Sequence, residues 1–431
     1  MRAVFTVIHR WFGLAIAAFI FLTGITGAVI SWDHELDAWL NPQLSQARST
    51  GPAKSGLELA RLVEARDPRV FVTYVPLAAA PGESLSVFVA PRIDPATGQV
   101  YRPGYSQVFL DPASGDELGR RLWGQAWPVT RETLVSFLYK LHYSLHIPEM
   151  WGTDRWGLWF LGGIAIIWTI DCFIGFYLTL PARRGKRSSR APQVERQLAK
   201  GWWARWRPAW LIKTTGSAYR ITFDIHRAFG LWTWILLFTL AFTGFSLAFY
   251  REVFLPAMSV VSQLTPTPFE QRVRRSRNDP VEPRVTREQV VALAAAEGAR
   301  RGWAAPVGAI AYAPRYGIYG PRFFAPGEEH GAAGVGPARL YYDGATGALV
   351  GDRVPWSGTA ADIFVQAQFP LHSGRILGLP GRILISVMGL VAAALSVTGV
   401  VIWYRKRAAR LRRQGAAPFA AGQNRAMQAA E

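Results

Sequence analysis

Four stretches of the chain, from about Trp11 to Ser31, Trp156 to Leu180, Leu231 to Tyr250 and Arg382 to Tyr404, are apolar over roughly the 20 positions that a hydrocarbon core demands. Each reads as a membrane-spanning helix. Between them lie two long mixed stretches of a different period. Alternating runs such as Ser84-Leu85-Ser86-Val87-Phe88-Val89, Gln107-Val108-Phe109-Leu110 and Arg339-Leu340-Tyr341-Tyr342 predict strands. Amphipathic spacing predicts helices over 57–66 and 286–300, the second capped by Thr286. Turn chemistry follows the strands in Asp111-Pro112-Ala113-Ser114-Gly115 and Asp343-Gly344-Ala345-Thr346-Gly347, with a third copy at Asp94-Pro95-Ala96-Thr97-Gly98.

This pattern divides the chain into a helix over 1–34, an α+β segment over 35–140, a helix over 141–182, a loop over 183–218, a helix over 219–250, a second α+β segment over 251–370, a helix over 371–404 and a basic tail over 405–431, read as disordered. The expected fold class is a membrane α-helical four-span bundle with two α+β domains outside the bilayer.

The two halves look like copies. His9-Arg10-Trp11-Phe12-Gly13-Leu14 returns as His226-Arg227-Ala228-Phe229-Gly230-Leu231, and the offset (226 − 9 = 217) also matches Thr26-Gly27 to Thr243-Gly244 and Glu35 to Glu252. Gly157 and Gly175 match Gly381 and Gly399, and Leu145-His146 matches Leu371-His372 after a two-residue gap. An internal duplication is therefore expected.

Charge orients the chain. A net charge of +19 over 431 residues would suit a nucleic-acid partner, but much of the excess sits beside the apolar runs, in Arg183-Arg184-Gly185-Lys186-Arg187 and in Arg405-Lys406-Arg407 with Arg410, Arg412 and Arg413. That is the positive-inside pattern, so the expected partner is the lipid bilayer and no nucleic acid. It puts both termini and the middle loop in the cytoplasm of a multi-pass bacterial inner-membrane protein, and both α+β segments in the periplasm. With 50% hydrophobic residues, 18 Trp and a mean hydropathy of +0.11, a few spans plus sizeable aqueous domains fit.

The histidines carry the candidate chemistry. His9 and His226 fall at the cytoplasmic ends of spans one and three, and His146 and His372 at the periplasmic ends of spans two and four. An ionisable ring at membrane depth normally has a ligand or partner, and pairs of imidazoles on facing helices make axial ligands for haem iron. For either inner copy alone, a snorkelling His-Arg anchor is the competing reading. The only cysteine is Cys172, which excludes an intramolecular disulfide and a Cys-x-x-Cys-His attachment, so any haem would be held noncovalently.

His142 stands four residues before His146 and is expected on the same helical face, as a ligand to a second haem, to a metal directly, or to substrate. His146 is the favoured symmetric ligand because His142 matches Gln368. His34 and His330 read as solvated, although His34 is also a possible outer ligand. Arg10 and Arg227 follow the inner histidines and are candidate partners for haem propionates, as are Arg155, Arg375 and Arg382 at the outer edge. Asp171, mid-span, reads as helix-packing glue ahead of a proton relay.

The His-Arg-x-x-Gly-Leu helix starts, the returning Leu-His before spans two and four, and strand-turns such as Phe109-Leu110-Asp111-Pro112-Ala113-Ser114-Gly115 resemble the PepSY-associated transmembrane helix family across essentially the whole chain. Within it the sequence is similar to iron-regulated inner-membrane proteins and ferric-siderophore reductases. That resemblance implies two periplasmic PepSY-like domains, haem b in the bundle (two per chain) and an oxidoreductase that reduces a ferric siderophore to release iron. Some relatives carry a fused flavin reductase domain. None is expected here, so a separate cytoplasmic or membrane electron donor is implied. The competing readings are a non-redox PepSY anchor, sensor or peptidase regulator, and a transmembrane electron donor to another periplasmic protein. A small-molecule transporter is disfavoured by few intramembrane charges.

Overall fold

The computed structural model describes residues 1–182 and 201–428. The basic cluster Arg183-Arg184-Gly185-Lys186-Arg187 lies outside the described residues. The main elements, in chain order, are α1 (Arg2–Ile30), α2 (Asp33–Leu40), α3 (Gly56–Arg66), β1 (Val70–Pro76), β2 (Leu85–Pro91), β3 (Gln107–Leu110), β4 (Glu117–Arg121), α4 (Leu134–Ser144), α5 (Trp156–Thr179), α6 (Ala218–Trp232) and α7 (Trp234–Ala248). They continue as α8 (Arg287–Arg300), β5 (Val307–Ala313), β6 (Ile318–Phe323), β7 (Ala338–Asp343), β8 (Leu349–Arg353), α9 (Ala360–Ser373) and α10 (Gly378–Gln428). The chain forms two interleaved compact units. One holds the described residues of Met1–Ala28, His142–Phe249 and Leu384–Glu431; the other holds Val29–Leu141 and Tyr250–Ile383.

The second unit is built on one antiparallel sheet with strand order β4-β3-β2-β1-β5-β6-β7-β8. Strand alternation puts Val70, Val72, Val87, Val108 and Leu110 of the first four strands, and Ile310 and Leu340 of the last four, on one face, where they meet Leu59, Ala60 and Val63 of α3 and Val290 and Ala294 of α8. Both helices start with a reciprocal cap. Ser55 N–H donates to Glu58 (2.8 Å) and Glu58 N–H returns to the Ser55 hydroxyl; Thr286 and Gln289 repeat the exchange. The Asp turns form as the pattern predicts. Asp111 Oδ1 accepts from the N–H groups of Ala113 and Ser114, and Asp343 Oδ1 from those of Ala345 and Thr346. Gly115 and Gly347 close them in the left-handed region, at φ 81° and 73°.

The two expected α+β segments share a single sheet. β1 and β5 pair directly, with Tyr74 opposite Ala311 and Val75 opposite Ile310. Each four-stranded half alone would present an unpaired edge of N–H and C=O groups. Joining the halves removes both edges and merges two small cores into one. Arg287 adds a polar clasp, donating to Glu64 (2.6 Å) and to the carbonyl of Val72 (2.8 Å).

The first unit is helical. Ile16 and Ile20 of α1, Cys172 of α5, Leu237, Leu240 and Ala241 of α7, and Met388 and Ala392 of α10 share one core. α1 and α10 touch backbone to backbone: a Cβ at Gly24 would lie 2.5 Å from the Gly389 carbonyl oxygen, and one at Gly389 would lie 2.4 Å from that of Gly24. Only glycine permits that approach.

Three helices are long and apolar enough to cross a membrane, with a fourth span if the bent pair α6 and α7 counts as one. Here the structure departs from a continuous third span, because α6 and α7 meet at 70°. The Thr233 hydroxyl donates back to the Phe229 carbonyl (2.7 Å), and the Trp234 indole donates to the Cys172 carbonyl (2.8 Å), so the start of α7 is tied to α5. The tail expected to be disordered instead continues α10 through Gln428, since Ala408, Ala409, Arg410 and Leu411 are strong helix formers.

Candidate functional site

His9 of α1 and His226 of α6 come together inside the helical unit, with ring centroids 6.3 Å apart and planes at 59°. Each ring is anchored by a different helix. His9 Nδ1 lies 2.9 Å from Asp171 Oδ1 of α5, and His226 Nδ1 lies 2.9 Å from the Thr398 hydroxyl of α10. Each ring also faces a glycine. A Cβ at Gly175 would stand 3.4 Å from His9 Cε1, and one at Gly399 would stand 3.3 Å from His226 Cε1.

The partners assign the tautomers. Asp171 as a carboxylate only accepts, so His9 Nδ1 carries the proton. The Thr398 hydroxyl has the Ala394 and Leu395 carbonyls within reach (2.8 and 3.1 Å), so it can give its proton to the backbone and accept from His226 Nδ1–H. With the proton on Nδ1, both rings present the Nε2 lone pair. That is the arrangement in which a metal-ligating histidine is oriented and made more basic by a partner on its other nitrogen.

His142 repeats it on α4. Its Nδ1 lies 3.1 Å from the Thr26 hydroxyl, which donates to the Leu22 carbonyl (2.8 Å) and so accepts from His142. Its ring lies against Gly27, whose Cβ would sit 2.9 Å from Cε1. His146 is not on the same helical face, which corrects the i, i+4 expectation. α4 ends at Ser144, and Leu145 and His146 both take left-handed backbone angles (φ 52° and 54°). The turn closes with Ile147 N–H on the Ser144 carbonyl, ahead of Pro148, and Gly157 packs on that same carbonyl. His372 sits in the last turn of α9, in the sheet unit.

The arginines divide. Arg10 has its guanidinium 5.2 Å from the Trp11 ring centroid, with a buried Nε that no group among the described residues accepts. Arg227 does not match it. Its guanidinium is consumed by Asp224 (2.8 Å) and the carbonyls of Pro208, Ala209 and Leu211, so it fastens the segment before α6, and the propionate role expected for it is withdrawn. Asp224 is fully buried and also accepts from Arg220. In the sheet unit, Arg382 binds the Ser31 carbonyl and Glu35 (2.7 Å), and Arg375 reaches Asp33 (3.4 Å). The Arg382 hydrogen bond lowers the Glu35 pKa to about 2. Both arginines are thus answered by acids of the chain. Arg155 reaches the Ala248 carbonyl within the helical unit.

His34 and His330 are exposed, as expected, but their rings meet at 5.0 Å. The sequence reading missed the roles of Asp171, Thr398 and Thr26 as partners of ring nitrogens. A signal existed for two of them: Thr26 adjoins Gly27 and Thr398 adjoins Gly399, both glycines matched between the halves.

Helices of membrane-spanning length combined with an antiparallel sheet unit define a membrane-associated helical protein with a β-sheet domain. The family model for the PepSY-associated TM region matches residues 6–406, and the protein belongs to that family. No curated protein matches the chain.

Proposed function

We propose that the protein is a haem b reductase of the bacterial inner membrane, passing electrons from a cytoplasmic or membrane-bound donor to a periplasmic ferric siderophore and so releasing iron. On this reading the chain is a duplicated four-span bundle, with α6 and α7 together forming the third span. The basic flanks support termini in the cytoplasm and a sheet unit in the periplasm.

The observation that carries the proposal is the His9–His226 pair, each ring held at Nδ1 by a partner on another helix, an arrangement that in the Nδ1–H tautomer leaves both Nε2 atoms for a ligand. The ring centres lie 6.3 Å apart, within the reach of two imidazoles that would share one metal bound at roughly 2 Å. Among the described residues no cluster of three or more His, Cys, Asp or Glu is placed to hold a metal ion. A macrocycle that brings its own four nitrogens suits two histidines. Gly175 and Gly399 keep bulk away from the rings, and the Arg10 Nε, unpartnered among the described residues, suits a propionate.

When bound, haem b supplies a one-electron carrier. The chain's part is to hold and tune it. His9 and His226 would ligate it, while Asp171 and Thr398 would fix the ring planes; the carboxylate would make the His9 side the more electron-rich. For a second haem, His142 is the leading ligand because Thr26 and Gly27 reproduce the inner arrangement, with His146 of the same unit as a candidate for its partner. Hard oxygen chelators hold Fe(II) more weakly than Fe(III), so one electron loosens the substrate metal.

The test is an absorption spectrum of detergent-purified protein, oxidised and dithionite-reduced, with pyridine haemochrome quantitation. Sharp reduced α-bands are expected, with His9→Ala and His226→Ala losing the same haem and His142→Ala losing the other. A folded protein without haem b would overturn the reductase reading in favour of a non-redox anchor or sensor.

A further inference from the structure

Three arginines stand side by side across three neighbouring strands of the sheet. Arg322 of β6 is the register partner of Arg339 of β7, and Arg339 is the register partner of Arg353 of β8. Direct partners project from the same face of a sheet with Cβ atoms about 5 Å apart, and like charges so placed destabilise it. The face is the one turned away from α3 and α8, because Leu340 and Tyr342, which alternate with Arg339, lie in the core with those helices.

Elsewhere in this unit arginines are answered. Arg287 pairs with Glu64, Arg272 with Asp343, and Arg301 with Glu297 and Asp352. Among the described residues, Arg322, Arg339 and Arg353 form no ion pair. Arg322 lies over the Tyr74 ring at 5.0 Å. Arg339 is sunk beside it with a buried Nε that has no acceptor, and burial, followed by the nearness of Arg322, pushes its pKa down to about 10. Two carboxylates in the neighbourhood, Glu329 near Tyr74 and Glu270 near Tyr250, accept from the backbone of their own loops.

The first four strands supply an internal control. Their equivalent register pair is Gln107 of β3 opposite Arg121 of β4. There Arg121 donates to Gln107 Oε1 (2.9 Å) and to both oxygens of Asp37 (2.8 and 2.7 Å), a closed and neutral cluster. In the last four strands an arginine stands where Gln107 would, its partner Arg353 has no carboxylate, and a third arginine adjoins. Concentrating half-buried positive charge in this way is unfavourable without an anion to meet it. Guanidinium forks match oxyanions in bidentate geometry.

We propose that Arg322, Arg339 and Arg353, with the Tyr74 and Tyr341 rings beside them, bind the carboxylate-type oxyanions of a negatively charged ferric chelate. That the ligand carries iron rests on the reductase reading; recognition of the anion does not. The same carboxylate chemistry could come from the propionates of a resident haem, so the experiment separates the two sources.

The full-length protein in detergent is titrated calorimetrically with gallium(III) citrate, a redox-inert analogue of ferric citrate, and with a cationic gallium trihydroxamate. Haem content and melting temperature are measured on the same samples. Arg339→Gln restores the residue type found at position 107, and Arg322→Gln is its neighbour. Each is expected to weaken gallium citrate binding by about tenfold or more, with haem content unchanged and melting temperature unchanged or raised as repulsion is relieved. Binding should also weaken with added salt. Wild-type citrate affinity in both variants would overturn the proposal, as would a trihydroxamate affinity equal to that of citrate. Loss of haem with citrate binding intact would assign the arginines to propionates and overturn it too. Arginine-dependent citrate binding by a protein that carries no haem would sustain this site while sinking the reductase reading.

Discussion

Asp171 distinguishes support of a metal ligand from simple helix packing. Asp171→Leu removes the acceptor at His9 Nδ1 while keeping the γ-branched shape. The Asp171 side chain is 9% exposed and that of His9 is 34% exposed. Water can therefore reach part of the ring, and the stability lost should fall at the low end of the about 1–3 kcal/mol that an unsatisfied buried donor costs. If His9 ligates through Nε2, the larger effect is on the ligand. Losing such a partner weakens metal affinity about 10- to 100-fold, equivalent to about 1.4–2.7 kcal/mol. Asp171→Asn keeps an acceptor and should lose less, while raising the haem midpoint potential because a negative charge near the oxidised iron is gone. The assay is titration of haemin into protein produced under haem depletion, followed by Soret absorbance, with thermal melts as the control for folding. Wild-type haemin affinity in Asp171→Leu would refute the reasoning, and a lower melting temperature at unchanged affinity would return Asp171 to packing.

Gly24→Ala places a Cβ against the Gly389 backbone, which has no rotamer with which to yield, and should destabilise the helical unit by about 2 kcal/mol or more; Gly13→Ala, with nothing within 4 Å of the added atom, is the control in the same detergent melt. Ser55→Ala removes the hydroxyl half of the α3 cap and should cost about 1 kcal/mol in denaturant titration. Acid should weaken the sheet unit. The Glu35 pKa is lowered to about 2, chiefly by its hydrogen bond to Arg382, and although burial opposes ionisation of Asp111, hydrogen bonds from Ser49, Ser114 and Arg48 hold its carboxyl well below the usual range. Folded-state pKa values below the unfolded ones mean that this stability is complete above pH about 4.5 and is lost as pH falls toward 2. Glu35 is 54% exposed, so its share is under about 1 kcal/mol, and Arg382→Ala should shrink the fall only slightly, whereas Asp111→Ala should flatten more of it. A melting temperature independent of pH between 6 and 3 would contradict this.

Much of the local structure was legible along the chain. Apolar runs longer than a soluble helix needs marked the membrane segments, alternation marked the strands, and Ser55, Thr286, Asp111 and Asp343 marked helix starts and turns, because caps and turns are decided by neighbouring residues. The nearness of His9 to His226 was also legible, since each opens an apolar run with the same His-Arg-x-x-Gly-Leu pattern.

What the chain alone left open were matters of approach between distant segments. Periodicity shows that β1 and β5 are strands but not that their edges join, and it cannot show that α6 breaks from α7 at Thr233. Nor can a one-dimensional pattern tell that the Arg10 Nε has no partner among the described residues while Arg227 is consumed by Asp224 and three carbonyls. It could not place His142 on Thr26 and Gly27, turn His146 off the helix, or line up Arg322, Arg339 and Arg353. Secondary structure and membrane preference follow from short-range sterics and from the period of burial, both written in consecutive residues. Hydrogen-bond partners, tautomers and the local balance of charge depend on groups brought within about 3 Å by the packing of whole elements, and only the tertiary structure decides which groups those are.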